Sequence, residues 1–103
     1  MKKTFVAIVR RTDAWDHSKP AHEQEGFAGH VAHMDGLEKE GFIAMAGLLQ
    51  ETNDVLFVFL ADSEDHVRER LSQDPWQQDG HASLVRLEEA HFRIGAPAGA
   101  AID

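Results

Sequence analysis

Seven consecutive apolar residues, Val55 to Ala61 (VLFVFLA), constrain this chain more than any other stretch. The run has no apolar–polar alternation, so the strand it forms is expected to be buried on both faces and central in a sheet. It is far short of a membrane span. Three further segments read as strands. Thr4 to Arg11 (TFVAIVRR) is rich in β-branched residues. Phe42 to Leu49 (FIAMAGLL) is the second, with Gly47 a candidate bulge. Ala82 to Ile94 is the last: Val85 and Leu87 alternate, then Phe92 and Ile94 take the opposite parity, which predicts a bulge near Glu88–Glu89.

Between the first two strands lies Gly26 to Gly41, GFAGHVAHMDGLEKEG. Phe27, Val31, Met34 and Leu37 recur at helical spacing and define an apolar stripe, and Gly41 stands where a helix takes a left-handed C′ residue. The helix is expected to begin near Pro20 to Glu23, because proline suits a first turn and Glu23 and Glu25 suit the positive end of the dipole. Gly26, Gly29 and Gly36 each weaken it by about 1 kcal/mol relative to alanine, which points to close packing against another backbone or a ligand. A second helix follows Asp62 and Ser63, whose side chains can cap it. Val67 and Leu71 form its stripe, and Asp74-Pro75 is expected to end it. Gln77 to Gly80 reads as a turn. Thr12 to Ala21 is a long loop in which Trp15 is the one large apolar residue, a plug or a pocket wall.

The order β-α-β-β-α-β predicts an α+β domain over residues 1–94. It is the ferredoxin-like split βαβ arrangement, with an antiparallel sheet and both helices on one face. Nothing in the chain is left to cover the other sheet face, so a second copy is expected there, forming a homodimer. Residues 95–103 (PAGAAID after Gly95-Ala96) are a small-residue tail, expected to lie against a partner subunit.

Composition narrows the function classes. At 103 residues the chain is one domain. Its net charge of −8 argues against a nucleic-acid partner, which would need clustered Lys and Arg. With no cysteine there are no disulfides, thiolate zinc sites or cysteine nucleophiles, and a cytoplasmic address is the default. The apolar run Phe5 to Val9 is too short for a signal peptide. No membrane partner is expected.

Seven histidines raise a metal site. His30 and His33 diverge on the helix, His17, His22, His66, His81 and His91 are scattered, and there is no HExxH, so no metal is expected. His30 flanks the apolar stripe one turn from Phe27 and Met34, whereas His33 points toward solvent. An imidazole aimed at a core has to be hydrogen-bonded or functional. Arg10 and Arg11, at the end of the first strand, are candidates to hold a substrate carboxylate or phenolate, with solvated strand-end charges as the alternative for at least one of them. Arg10 and Trp15 are candidate substrate-binding residues, joined by Trp76 on the resemblance given next.

The chain resembles the YCII-related domain family of the dimeric α/β-barrel group. The likeness runs from Thr4 to about Ile94 and rests on TFVAIVRR, GHVAHMDGLEKEG, the run into AGLL, VLFVFLADS, and DPW at Asp74 to Trp76. Where members often have Gly-Pro after the second strand, this chain reads Gly47-Leu48. The resemblance implies a homodimer with sheets packed face to face and a pocket using a His–Asp pair, which falls on His30 and Asp74, with Trp76 at the motif's aromatic position. It also implies proton-transfer chemistry, such as hydrogen-halide elimination from a chlorinated hydroxyquinol or lactone isomerisation. On this reading His30 is a base and Asp74 its orienter, in a lyase or isomerase acting on a small unsaturated or aromatic acid with no cofactor. The alternative is a non-catalytic dimeric module that binds a small ligand or supports another protein.

Overall fold

In the computed structural model, which describes residues 2–100, β3 (Val55–Ala61) lies inside a four-stranded sheet. Its neighbours are β2 (Ile43–Leu48) on the edge and β1 (Lys3–Arg11) inside, and β4 (Ala82–Ala90) forms the other edge beyond β1. Every neighbouring pair is antiparallel. β1 pairs with β3 without interruption from Lys3–Ala61 to Val9–Val55. Side chains alternate across a strand, so Phe5, Ala7 and Val9 share one face with Phe59, Phe57 and Val55. That face carries the core, closed by Leu37 from α1 (Phe27–Lys39) and by Val67 and Leu71 from α2 (Glu64–Leu71). The order of elements and of strands is compatible with a ferredoxin-like fold.

The opposite face carries Val6 and Ile8 across from Val58 and Leu56. Part of it is covered by the chain itself. Phe92, Gly95 and Pro97 close over Met45 and Val58, and Ala100 bridges to Lys2. Within the described residues, then, the tail packs on its own sheet; residues 101–103 lie outside them. Met45, Val85, Phe92 and Ile94 remain exposed.

Several boundaries differ from expectation. α1 starts at Phe27, and Ala21–Glu23 is a separate 3-10 turn. The intervening Gln24 is extended, held by a carboxamide that accepts from the Asp16 amide and donates to the Asp16 and Lys19 carbonyls. Gly26 then caps α1 at a φ of +82°, a backbone angle that side-chain-bearing residues avoid. The far end of α1 is a Schellman motif: the Gly41 amide donates to Glu38 and the Phe42 amide to Leu37, with Phe42 and Leu37 both in the core.

Of the expected stripe only Leu37 is fully buried, while Met34 packs partly on the core. The bulges also move. In β4 the register slips at Val85, not at Glu88–Glu89, so Leu84 and Leu87 both reach the core, and the strand ends at Ala90. In β2 the slip falls between Ile43 and Met45, not at Gly47. α2 ends at Leu71, and Asp74 opens a third short helix, α3 (Pro75–Gln78), where a turn was expected.

Candidate functional site

Asp74 acquires its position from two local rules. The proline after it keeps its backbone extended, at φ −68° and ψ 126°, and its Oδ1 then accepts from the Trp76 amide as the N-cap of α3. The side chain of Asp74 is 3% exposed, and a carboxylate that deep needs partners. His30, in the second turn of α1, supplies one. Its Nδ1 lies 2.9 Å from Oδ1 and 3.0 Å from Oδ2 of Asp74. The imidazole Nε2 has no hydrogen-bond partner among the described residues. Asp74 holds one nitrogen and leaves the other to the surroundings.

Trp76 forms the floor beneath this ring. The indole stacks on His30 with centroids 3.8 Å apart and planes 16° from parallel, and its Nε1–H donates to the Glu25 carbonyl at 2.8 Å. Trp15 meets Trp76 edge-on at 4.9 Å, and the Arg11 guanidinium lies over the Trp15 ring at 4.2 Å. The approach of α1 to α3 depends on small residues. A Cβ at Gly29 would lie 3.2 Å from Pro75, and one at Gly26 would lie 3.4 Å from the Trp76 ring. The close packing expected of these glycines against a backbone or a ligand is instead packing of Gly26 and Gly29 against side chains of α3. Gly36, by contrast, faces open space.

Two cavities meet at His30. The inner one, about 70 Å³, is bounded by Trp15, His30, Asp74, Trp76, Gln77 and Arg11 among others. The outer one, about 520 Å³, runs between α1 and the β2 edge of the sheet. Phe27, Val31 and Met34 line it from the helix, Ile43, Met45 and Leu48 from β2. These helix residues, read from the sequence as core, are pocket wall. Its polar groups are few: Arg11 and His30, and Asp35 and Glu38 on α1. A concave, mainly apolar space with a few convergent polar groups is the usual form of a small-molecule site.

The structure thus brings together His30, Asp74, Trp15 and Trp76, and does not bring Arg10 to them. The reason is strand parity. Arg10 falls on the opposite sheet face, where Asp54 takes its Nε and Nη2 at 3.1 and 3.0 Å. That fork holds the Asp54 carboxyl below the usual aspartate range and raises the guanidinium in turn. Arg11, one residue on, shares parity with Val9 and lines both cavities.

His33 is also placed differently from expectation. Its Nε2 meets the Arg70 carbonyl at 2.9 Å, tying α1 to the end of α2. A second His–Asp pair, His81 Nδ1 to Asp79 Oδ1 at 2.7 Å, sits by the two tryptophans but lines neither cavity. Burial pushes the Asp79 carboxyl up, but bonds from the His81 amide and ring outweigh it, leaving a net downward shift. Among the described residues no group of three or more His, Asp or Glu side chains is placed to hold a metal ion, and no helix is long and apolar enough to cross a membrane.

No family model and no curated protein matches the chain.

Proposed function

We propose that this chain is a cofactor-free acid/base enzyme, a lyase or isomerase acting on a small unsaturated or aromatic acid, with His30 as the proton-transfer group and Asp74 as its orienter. One observation carries the reading: the buried Asp74 carboxylate holds Nδ1 of His30, Nε2 of the same ring has no hydrogen-bond partner among the described residues, and His30 lines a ligand-sized cavity. A carboxylate at Nδ1 favours the tautomer that keeps the proton there. It leaves a lone pair on Nε2 and stabilises the imidazolium once that lone pair has taken a proton.

The chemistry follows from that polarity. Nε2 removes a proton from a carbon made acidic by a neighbouring carbonyl or unsaturated system. In an isomerase the proton is returned to a different carbon. In an elimination the C–H electron pair forms the new double bond, the carbon–halogen bond breaks, and halide leaves with its electrons. Both routes end with His30 shedding a proton, so the ring is restored without a co-reactant. A positioned base of this kind contributes on the order of 10²–10⁴-fold.

The family resemblance of the sequence supports the same chemistry, and with it a homodimer in which the incompletely covered sheet face meets its copy to complete a dimeric α/β barrel; the lack of cysteine supports a cytoplasmic address. Exposed Met45, Val85, Phe92 and Ile94 are apolar groups that such a partner would cover.

The test is proton exchange followed by NMR in D₂O, with a panel of unsaturated and aromatic acids. Wild-type protein is expected to place deuterium at an activated carbon of at least one acid, and His30→Asn to lose that activity by about 100-fold or more. Binding of acids with no exchange at any carbon would instead favour the non-catalytic ligand-binding module.

A further inference from the structure

We propose that Arg11 is the anion anchor of this site, and that the ligand it selects is a monocarboxylate with a flat apolar body lying along α1 and β2. The proposal rests on the reading of the His30 cavity as a ligand site and adds the residue and the ligand chemistry.

Of the five other arginines, Arg93, beyond the end of β4, lines neither cavity, and Arg10, Arg68, Arg70 and Arg86 are each bound to a carboxylate. Arg11 is not. Among the described residues its guanidinium has neither hydrogen bond nor ion pair, only the face of Trp15 at 4.2 Å. In a chain with 18 acidic and 10 basic residues, an arginine left unpaired inside a cleft is an available anion receptor. Trp15 is buried and braced by Trp76, so it gives the guanidinium a fixed aromatic face to rest on while its N–H groups stay free to donate.

Arg11 and His30 both line the inner and the outer cavity, which puts the anchor and the base at the same junction. The inner cavity, about 70 Å³, has room for a water or two and none for a ring. The body of a ligand held at Arg11 therefore lies in the outer cavity, whose 520 Å³ is in the range of small-molecule sites. Its walls are the side chains of Phe27, Val31, Met34, Ile43 and Leu48, suited to an apolar body. Asp35 and Glu38 line that cavity as well and would repel a second negative group. One carboxylate is thus favoured over two.

The experiment is an NMR titration of ¹⁵N-labelled protein with cinnamate and benzoate, each beside its neutral amide. Wild-type protein and Arg10→Met are expected to bind the acids at millimolar concentration and the amides far more weakly. Arg11→Met is expected to weaken acid binding by about tenfold or more, with little change for the amides. Arg11→Lys, which keeps the charge but loses the fork, should fall between, and thermal melting of each variant reports that it is folded. Acid binding indifferent to Arg11, equal binding of acid and amide, or no binding of either acid by the wild type would each overturn the proposal. Failure of the proton-transfer reading looks different: acids bind through Arg11, yet no deuterium exchange occurs.

Discussion

His30 lies flat on Trp76, 3.8 Å between ring centroids, so the group proposed to move protons is held from below by an indole and from the side by the Asp74 carboxylate. The indole is itself tied to the Glu25 carbonyl just ahead of α1. A ring restrained on two sides can lose little further freedom when a substrate arrives.

Trp76→Phe keeps an aromatic floor but deletes the Nε1–H donor to Glu25. It is expected to destabilise the fold by about 1 kcal/mol, whereas Trp76→Ala should cost about 3–5 kcal/mol by leaving a cavity between α1, α3 and Trp15. Urea unfolding followed by circular dichroism separates the two.

Asp74 has two duties, and two substitutions divide them. Asn is as good an N-cap as Asp, so Asp74→Asn should keep α3 and most of the stability while removing the negative charge from His30. Asp74→Ala removes the cap as well and should lower stability by about 1–2 kcal/mol more. Proton exchange should fall by at least about tenfold in both variants, because Ala leaves Nδ1 without its carboxylate and Asn can offer Nδ1 a donor that favours the opposite tautomer.

Much of the architecture was legible in the chain, and the misses share a cause. The VLFVFLA run marked an inner strand, and Gly41 marked a helix end, because burial on both faces and a left-handed angle each restrict residue type locally. α3 was missed because four residues show no periodicity, so Asp74-Pro75 read as a stop when it is also a start.

Their shared place at the end of the first strand could not tell Arg10 from Arg11. Counting parity back to Phe5 and Val9 would have done so. The bulge at Val85 eluded pattern reading because the sequence there offers two parities, and only the core chooses between Leu84 and Val85. The cavity wall of Phe27, Val31 and Met34 has no sequence signal separate from that of a buried stripe.

The glycines of α1 are expected to respond in opposite directions. Gly26→Ala places a side chain at a left-handed angle against Trp76 and should cost about 1–2 kcal/mol. Gly36→Ala meets open space inside the helix and should stabilise by about 0.5–1 kcal/mol. Thermal melts of the two variants give both signs.

Acid sensitivity follows from the Arg10–Asp54 fork. The hydrogen bonds from Arg10 lower the Asp54 carboxyl in the folded chain, against the cost of its burial. Its contribution is therefore complete above the ordinary aspartate value and is lost as pH falls through the lower folded one. Glu40 with Arg70 and Asp62 with Lys2 act in the same sense. Melting temperature should decline below about pH 4, and the decline should be shallower in Asp54→Asn.

The most direct measurement is the tautomer of His30, read from its two ring-nitrogen shifts by long-range ¹H–¹⁵N NMR at a pH where the ring is neutral. The expected result is a proton on Nδ1 and a bare Nε2, reversed in Asp74→Asn. A wild-type His30 carrying its proton on Nε2 would leave no basic nitrogen for the cavity, and would contradict the proposed chemistry at its first step.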